Sequence, residues 1–153
     1  MIERPRYFED YVIGDTTNTM GRTITEADVV IHAGHTGDYY PHHVDAAWSA
    51  KQAFGQRIAH GTLILSVAAG MLATEINPLA FSYGYDRVRF IRPVFIGNTI
   101  RATATIIARR ICPKRDTVGL IDEQCVVVNE SAETVLAFVH IHLVERRPPA
   151  GST

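Results

Sequence analysis

Thr62-Leu63-Ile64-Leu65-Ser66-Val67-Ala68-Ala69-Gly70-Met71-Leu72-Ala73-Thr74-Glu75-Ile76 is the stretch that decides the fold. Its apolar residues, Leu63, Ile64, Leu65, Val67, Ala68, Ala69, Met71, Leu72 and Ala73, cover every face of a helix. A helix that is apolar all round must be surrounded by protein. Asn77-Pro78 stops it. The unbroken apolar part, Leu63 to Ala73, is about half the ~20 residues that a bilayer crossing needs. It reads as the axis of a core, not as a membrane span.

Beyond the helix the period falls from 3.6 to 2. Val88 and Phe90 alternate with Arg87 and Arg89. Ile100, Ala102, Ala104 and Ile106 alternate with Arg101, Thr103 and Thr105. Val135, Ala137, Val139, Ile141 and Leu143 alternate with Leu136, Phe138, His140 and His142, and a less regular run covers Val118 to Val128. Gly97-Asn98, Pro113-Lys114-Arg115-Asp116 and Asn129-Glu130-Ser131 supply the turns. Four consecutive strands predict an antiparallel meander curled around the buried helix. The class is α+β, and the architecture is the hot dog fold.

Upstream of the helix the chain is helical and loop-rich. A short strand is expected around Thr16–Arg22. Thr25-Glu26-Ala27-Asp28 has the form of a capping box ahead of Val29, Val30, Ile31 and Ala33. Gly37 and Pro41 bracket a loop, and Asp45 can cap a helix from Ala46 to Phe54 that Gly55 ends.

At 153 residues with 46% hydrophobic and 20% charged residues, the chain is one globular domain that buries roughly 70% of its unfolded surface. That domain is expected to span 1–147, followed by a flexible Pro-rich tail, 148–153. Fifteen basic against sixteen acidic residues give a net charge of −1, which excludes nucleic-acid binding by blanket phosphate neutralisation. Cys112 and Cys125 are too few for a disulfide framework and read as two buried thiols of a reducing compartment. With no apolar leader in Met1–Tyr7, the expected location is the cytoplasm.

Titratable groups crowd the segment His32–Asp45. His32 and His35 can share a helix face, with Asp38, His42 or His43 completing a metal site. No HExxH, no cysteine and no second spaced pair supports one, so no metal is expected. Acid/base work needs less. Asp38 and His43 stand five residues apart in a loop stiffened by Pro41, and such a pair can turn toward one water and move protons both ways near neutral pH. The bland alternative has Asp38 capping local backbone and His43 at the surface. Arg57-Ile58-Ala59-His60-Gly61-Thr62 then leads into the helix. A helix N-terminus offers unpaired N–H groups to an oxyanion, and Gly61 lets a ligand approach the backbone.

Asp38-Tyr39-Tyr40-Pro41-His42-His43-Val44-Asp45 followed by Arg57-Ile58-Ala59-His60-Gly61 resembles the MaoC-like (R)-specific enoyl-CoA hydratases. Their signature reads D-x-N-P-x-H, with a hydrophobic-x-H-G step into the central helix. Tyr7-Phe8-Glu9-Asp10, Gly14-Asp15, Gly21-Arg22-Thr23-Ile24-Thr25 and Phe90-Ile91-Arg92-Pro93-Val94 with Gly97-Asn98-Thr99 extend the resemblance to about Thr105.

The resemblance implies a hydro-lyase that adds water reversibly across the 2,3-double bond of a CoA thioester, without a cofactor. Asp38 and His43 would hold the water, and the Gly61 N–H would bond the thioester oxygen. Tyr40, His60 and Arg89 are the expected substrate contacts; Arg87, Arg89 and Arg92, on or beside a strand, can meet CoA phosphates or stand as solvated strand charges. The chain departs from the signature at Tyr40, which replaces Asn and is expected either beside the acyl group, narrowing its pocket, or packed against Pro41 and the loop that carries Asp38 and His43. A homodimer or a multiple of it is implied, since hot dog sheets pair edge to edge. Two other readings stay open on the same fold, an acyl-CoA thioesterase and a non-catalytic acyl-binding subunit.

Overall fold

The computed structural model describes residues 2–149. Its elements are β1 (Ile2–Glu3), a 3₁₀ turn (Phe8–Asp10), β2 (Thr16–Asn18), β3 (Arg22–Thr23), α1 (Glu26–Thr36), α2 (Pro41–Val44) and α3 (Ala46–Ser49). There follow α4 (Gly61–Leu72), β4 (Glu75–Ile76), β5 (Ala80–Phe90), β6 (Thr99–Ile111), β7 (Val118–Val128) and β8 (Thr134–Glu145). The large sheet runs β2-β6-β7-β8-β5, with β3 also on β6, and all of its pairs are antiparallel. It curls around α4, which makes the fold a hot dog. No helix among the described residues is long and apolar enough to cross a membrane.

The strand order corrects one expectation. β6, β7 and β8 form the predicted meander, but β5 pairs with β8 rather than β6. The link from Phe90 to Thr99 is not a hairpin, because the chain before α4 holds it. Ala59 N–H donates to the Val94 carbonyl at 2.8 Å, and Ile58 bridges Phe95. Gly97, at φ +99°, makes the turn into β6.

The core lies between α4 and the concave sheet face. Leu63, Ile64, Val67 and Ala68 of the helix meet Ile100, Ala102 and Ala104, then Cys125 and Val127, then Leu136 and Phe138. The helix is not enclosed all round as expected, since Thr62, Ser66 and Gly70 form an exposed stripe at i, i+4, i+8. It is also shorter than the sequence predicts. Ala73 leaves helical geometry, and Glu75–Ile76 pairs in parallel with Ile2–Glu3, a partner no local pattern announces.

The capping predictions hold, with changed lengths. Thr25 accepts from Asp28 N–H while the Asp28 carboxylate accepts from Thr25 N–H, and α1 runs on to Gly37 in the left-handed region. Asp45 caps α3, but that helix ends at Ser49 rather than Phe54. Cys125 is buried as expected; Cys112 is only half-buried. Arg146 and Arg147 are pinned by Glu9 and Asp10, so order extends past the last strand. The rest of the expected tail, 150–153, lies outside the described residues.

Candidate active site

The site grows from three backbone events. Gly37, at φ +77°, ends α1 and turns the chain outward. Pro41 occupies the first turn of α2, where its missing N–H costs nothing, so 41–44 is a helical turn and not the loop expected. The extended residues 57–60 then deliver the chain to α4. The Arg57 guanidinium forks onto the Glu26 carboxylate, and Ile58 N–H donates to the His42 carbonyl at 2.9 Å. The start of α1, α2 and the entry to α4 are thereby locked together.

His43 is 5% exposed, against the bland alternative of a surface histidine. Its Nδ1 lies 2.7 Å from the Ile58 carbonyl. A carbonyl can only accept, so Nδ1 carries the proton and Nε2 presents a lone pair. Nε2 is 3.9 Å from Asp38 Oδ2 and 2.9 Å from His42 Nε2. Burial holds the His43 imidazole below the usual histidine range; His60 and His42 push the same way, while the Ile58 hydrogen bond and Asp38 oppose. The imidazole is therefore neutral at pH 7, the form a general base needs. Asp38 is half-exposed. Its Oδ1 accepts from Tyr40 N–H at 3.2 Å, the local capping of the bland alternative, while Oδ2 is left facing His43.

His60 is 1% exposed and stacks on His43 with ring centroids 3.6 Å apart. Its Nε2 donates to the Asp38 carbonyl at 2.9 Å, while Nδ1 is buried without a hydrogen-bond partner. This imidazole holds the Asp38 backbone from below. It is the N-cap of α4 yet makes no side-chain capping bond, so the first N–H groups of the helix, Gly61 first, stay uncapped by a side chain.

Beside Gly61 opens a cavity of about 390 Å³ lined by His42, His43, Phe54, Ile64, Phe90, Arg92 and Leu136, among others. A Cβ on Gly61 would sit 2.9 Å from the Phe90 ring, so glycine is needed for that wall to close on the helix end. A larger cavity, about 690 Å³, lies among Leu79, Phe81, Leu143 and Arg146–Pro149. No histidine lines it.

The MaoC-like domain model matches residues 10–123. The chain belongs to the MaoC-like dehydratase family. It is 34% identical over 135 residues to a protein of Rhodospirillum rubrum named (R)-specific enoyl-CoA hydratase, covering 88% of this chain and 85% of that one. Protein MaoC of Klebsiella aerogenes is 40% identical over 101 residues, but those span 65% of this chain and only 30% of MaoC. A solved structure described as a monoamine oxidase regulatory protein from Archaeoglobus superposes with a TM-score of 0.91 at 34% identity, over 97% of this chain and all of that one.

The structure brings Asp38, His43, His60 and Gly61 together. Tyr40 takes the second of its two expected places, against the segment that carries Asp38 and His43. It precedes α2 with its ring 4.5 Å from His42 and edge-on to Trp48, 56% exposed and not on the cavity wall. Arg89 turns back onto the Val88 carbonyl, whereas Arg92 lines the cavity. A bulge with Arg87 at φ +53° shifts the strand between Asp86 and Arg89 and redirects these side chains, which alternation could not foresee. His32 bonds Thr62 Oγ1 at 3.0 Å and shares a separate small cavity with His35.

Sequence reasoning places His42 only in a candidate metal site and Phe90 only in a strand and in the family's mid-sheet segment; that both line this cavity comes from the structure.

Proposed function

We propose that the protein hydrates enoyl-CoA thioesters and, in reverse, dehydrates 3-hydroxyacyl-CoA thioesters. The observation that carries this is the 3.9 Å gap between Asp38 Oδ2 and neutral His43 Nε2, next to the open N-terminus at Gly61. A water at ordinary hydrogen-bond length, about 2.8 Å, from both atoms bridges such a gap, taking the place at Nε2 that the His42 N–H holds in the free protein. As its oxygen adds to C3, the pair takes a proton from it. Electron density moves to the thioester oxygen, which the Gly61 N–H and the helix dipole hold as an enolate. The pair returns a proton to C2, and the balance is one water added. Positioned acid/base catalysis is worth about 10²–10⁴ in rate and one oxyanion donor about 10²–10³. Both effects come from this chain's own groups.

The finer reading is (R)-specific addition, as the name of the Rhodospirillum relative indicates, with Arg92 at the cavity mouth meeting the CoA phosphates. A homodimer is part of the same proposal. β5 is the sheet edge, and Phe81 and Tyr83 on it are 67% and 65% exposed, an edge that a second copy can extend and cover.

The test is to incubate the chain with a short enoyl-CoA while following enoyl absorbance, free thiol and product chirality together. Loss of absorbance without thiol, yielding the (R)-alcohol, is the expected result. Thiol release at the same rate makes it a thioesterase, and no turnover leaves an acyl-binding subunit. Light scattering showing a stable, active monomer overturns the dimer.

A further inference from the structure

The strand patterns contain a feature that this chemistry does not use: His140 and His142 stand on the concave face, where apolar residues belong. Register makes the anomaly plain. Going along the β7–β8 ladder, Phe138 faces Cys125, His140 faces Glu123, His142 faces Ile121 and Val144 faces Gly119. Phe138 and Cys125 belong to the core under α4. Ile121 and Val144 belong to a second apolar cluster plugged by Phe8. Two imidazoles and a carboxylate are thus inserted between two apolar clusters.

We propose that Glu123, His140 and His142 form a binding site for a divalent transition-metal ion of the zinc type, at the C-terminal end of α4. Each residue offers one ligand atom, and all three atoms lie within 4.8 Å of one another. Glu123 Oε2 and His142 Nε2 are already 3.1 Å apart. Ligand atoms about 2.0–2.1 Å from a tetrahedral zinc lie roughly 3.3 Å from each other, so this pair is at coordinating separation. The two imidazoles have ring centroids 3.9 Å apart and planes inclined at 45°, so the planes intersect rather than run parallel.

The surroundings fit a cation. The His140 imidazole is half-buried. Its orientation is set by the Tyr85 ring stacked 4.5 Å away and by Ser82 Oγ, hydrogen-bonded to Nε2 at 2.7 Å. The three residues open onto a cavity of about 420 Å³ that also includes Ala69 and Leu72 of the last helical turn and Ala73 just past it. The carbonyl end of a helix carries partial negative charge, which favours a cation there. Arg6 at the rim is occupied by Asp15 and the Tyr11 ring. Three protein ligands leave a fourth position open toward the cavity for water.

Asp38, His43 and His60 also have ligand atoms within 4.8 Å of one another, but their geometry differs. His43 and His60 stack at 21° with 3.6 Å between centroids. Their lone pairs lie in nearly parallel planes and cannot meet at one ion.

The experiment titrates Co²⁺, then Zn²⁺, into the tag-free, chelator-treated full chain. It reads the visible d–d bands of cobalt, the metal stoichiometry, and the histidine ¹H–¹⁵N resonances on zinc addition. The expected result is one ion per chain with tetrahedral-type bands and shifts at His140 and His142. Affinity should fall about tenfold or more in Glu123→Gln and in His142→Asn. The resonance shifts need only the wild-type chain, so misfolding of a variant does not remove the test. The proposal is overturned by absence of the bands, by shifts confined to His43 and His60, or by unchanged affinity in both variants.

Discussion

The two ends of α4 carry the same side-chain chemistry in opposite electrical settings. At the N-terminal end, Asp38, His43 and His60 gather where helix N–H groups are exposed and partial charge is positive. At the other, Glu123, His140 and His142 gather where carbonyls end the helix and partial charge is negative. A histidine–carboxylate cluster at the first end can attend a developing oxyanion; at the second it suits a cation. The backbone around each cluster, more than the residue types, decides what it does. At the first end, carbonyls fix both ring orientations, Ile58 for His43 and Asp38 for His60. At the second, side chains do so, Tyr85 and Ser82 for His140.

The comparison breaks most readily at Asp38 and His43. Asp38→Asn and His43→Gln should each lower kcat on an enoyl-CoA by at least about 100-fold with KM changed little, measured by steady-state kinetics. Glu123→Gln should leave kcat within about twofold on this reading, since that end takes no part. A variant of either dyad residue keeping a tenth of wild-type turnover would end the assignment of the N-terminal cluster.

Gly61→Ala should cost about tenfold in kcat/KM. Its N–H survives, but the added Cβ meets Phe90 at 2.9 Å and drives the ring toward the cavity. Trimming that ring in the double variant Gly61→Ala/Phe90→Leu should restore most of the loss. Failure of the rescue would place the effect in the helix end rather than in the wall.

The acid limb of the pH profile sharpens the comparison further. His43 titrates below the usual histidine value because it is buried, and the groups facing it are Asp38, His42 and His60. Hydration requires the neutral ring, so activity should persist as pH falls through about 6.5 and decline only below it. A kcat/KM profile already half-lost at pH 6.5 would contradict a buried neutral base.

The smallest effect belongs to Tyr40. Because its ring rests on His42 and Trp48 outside the cavity wall, Tyr40→Asn should lower kcat only about two- to fivefold through His42. The ratio of kcat/KM between four-, six- and eight-carbon substrates should not move. A shift in that ratio would return Tyr40 to the acyl pocket, the first of its two expected places.

The sequence by itself determined the class of fold and marked out the residues of the proposed site. Those properties are local. A helix apolar on nearly every position, period-2 strands, the Thr25 and Asp45 caps and the spacing of Asp38, His43 and Gly61 are all written in runs of a few residues, and hydrophobic burial enforces them. What only the tertiary structure decided depends on partners distant in the chain. β5 joins β8 because the Phe90–Thr99 link is tied to residues 58 and 59. The helix stops at Leu72 because Glu75 and Ile76 find Ile2 and Glu3. Arg92 reaches the cavity while Arg89 does not, because a bulge at Arg87 resets the strand. Tyr40 leaves the pocket because Pro41 starts a helical turn whose neighbour, Trp48, holds the ring. Glu123 meets His140 only through the register of two strands. No stretch of sequence encodes such a meeting; the sheet does, by fixing which residues stand opposite.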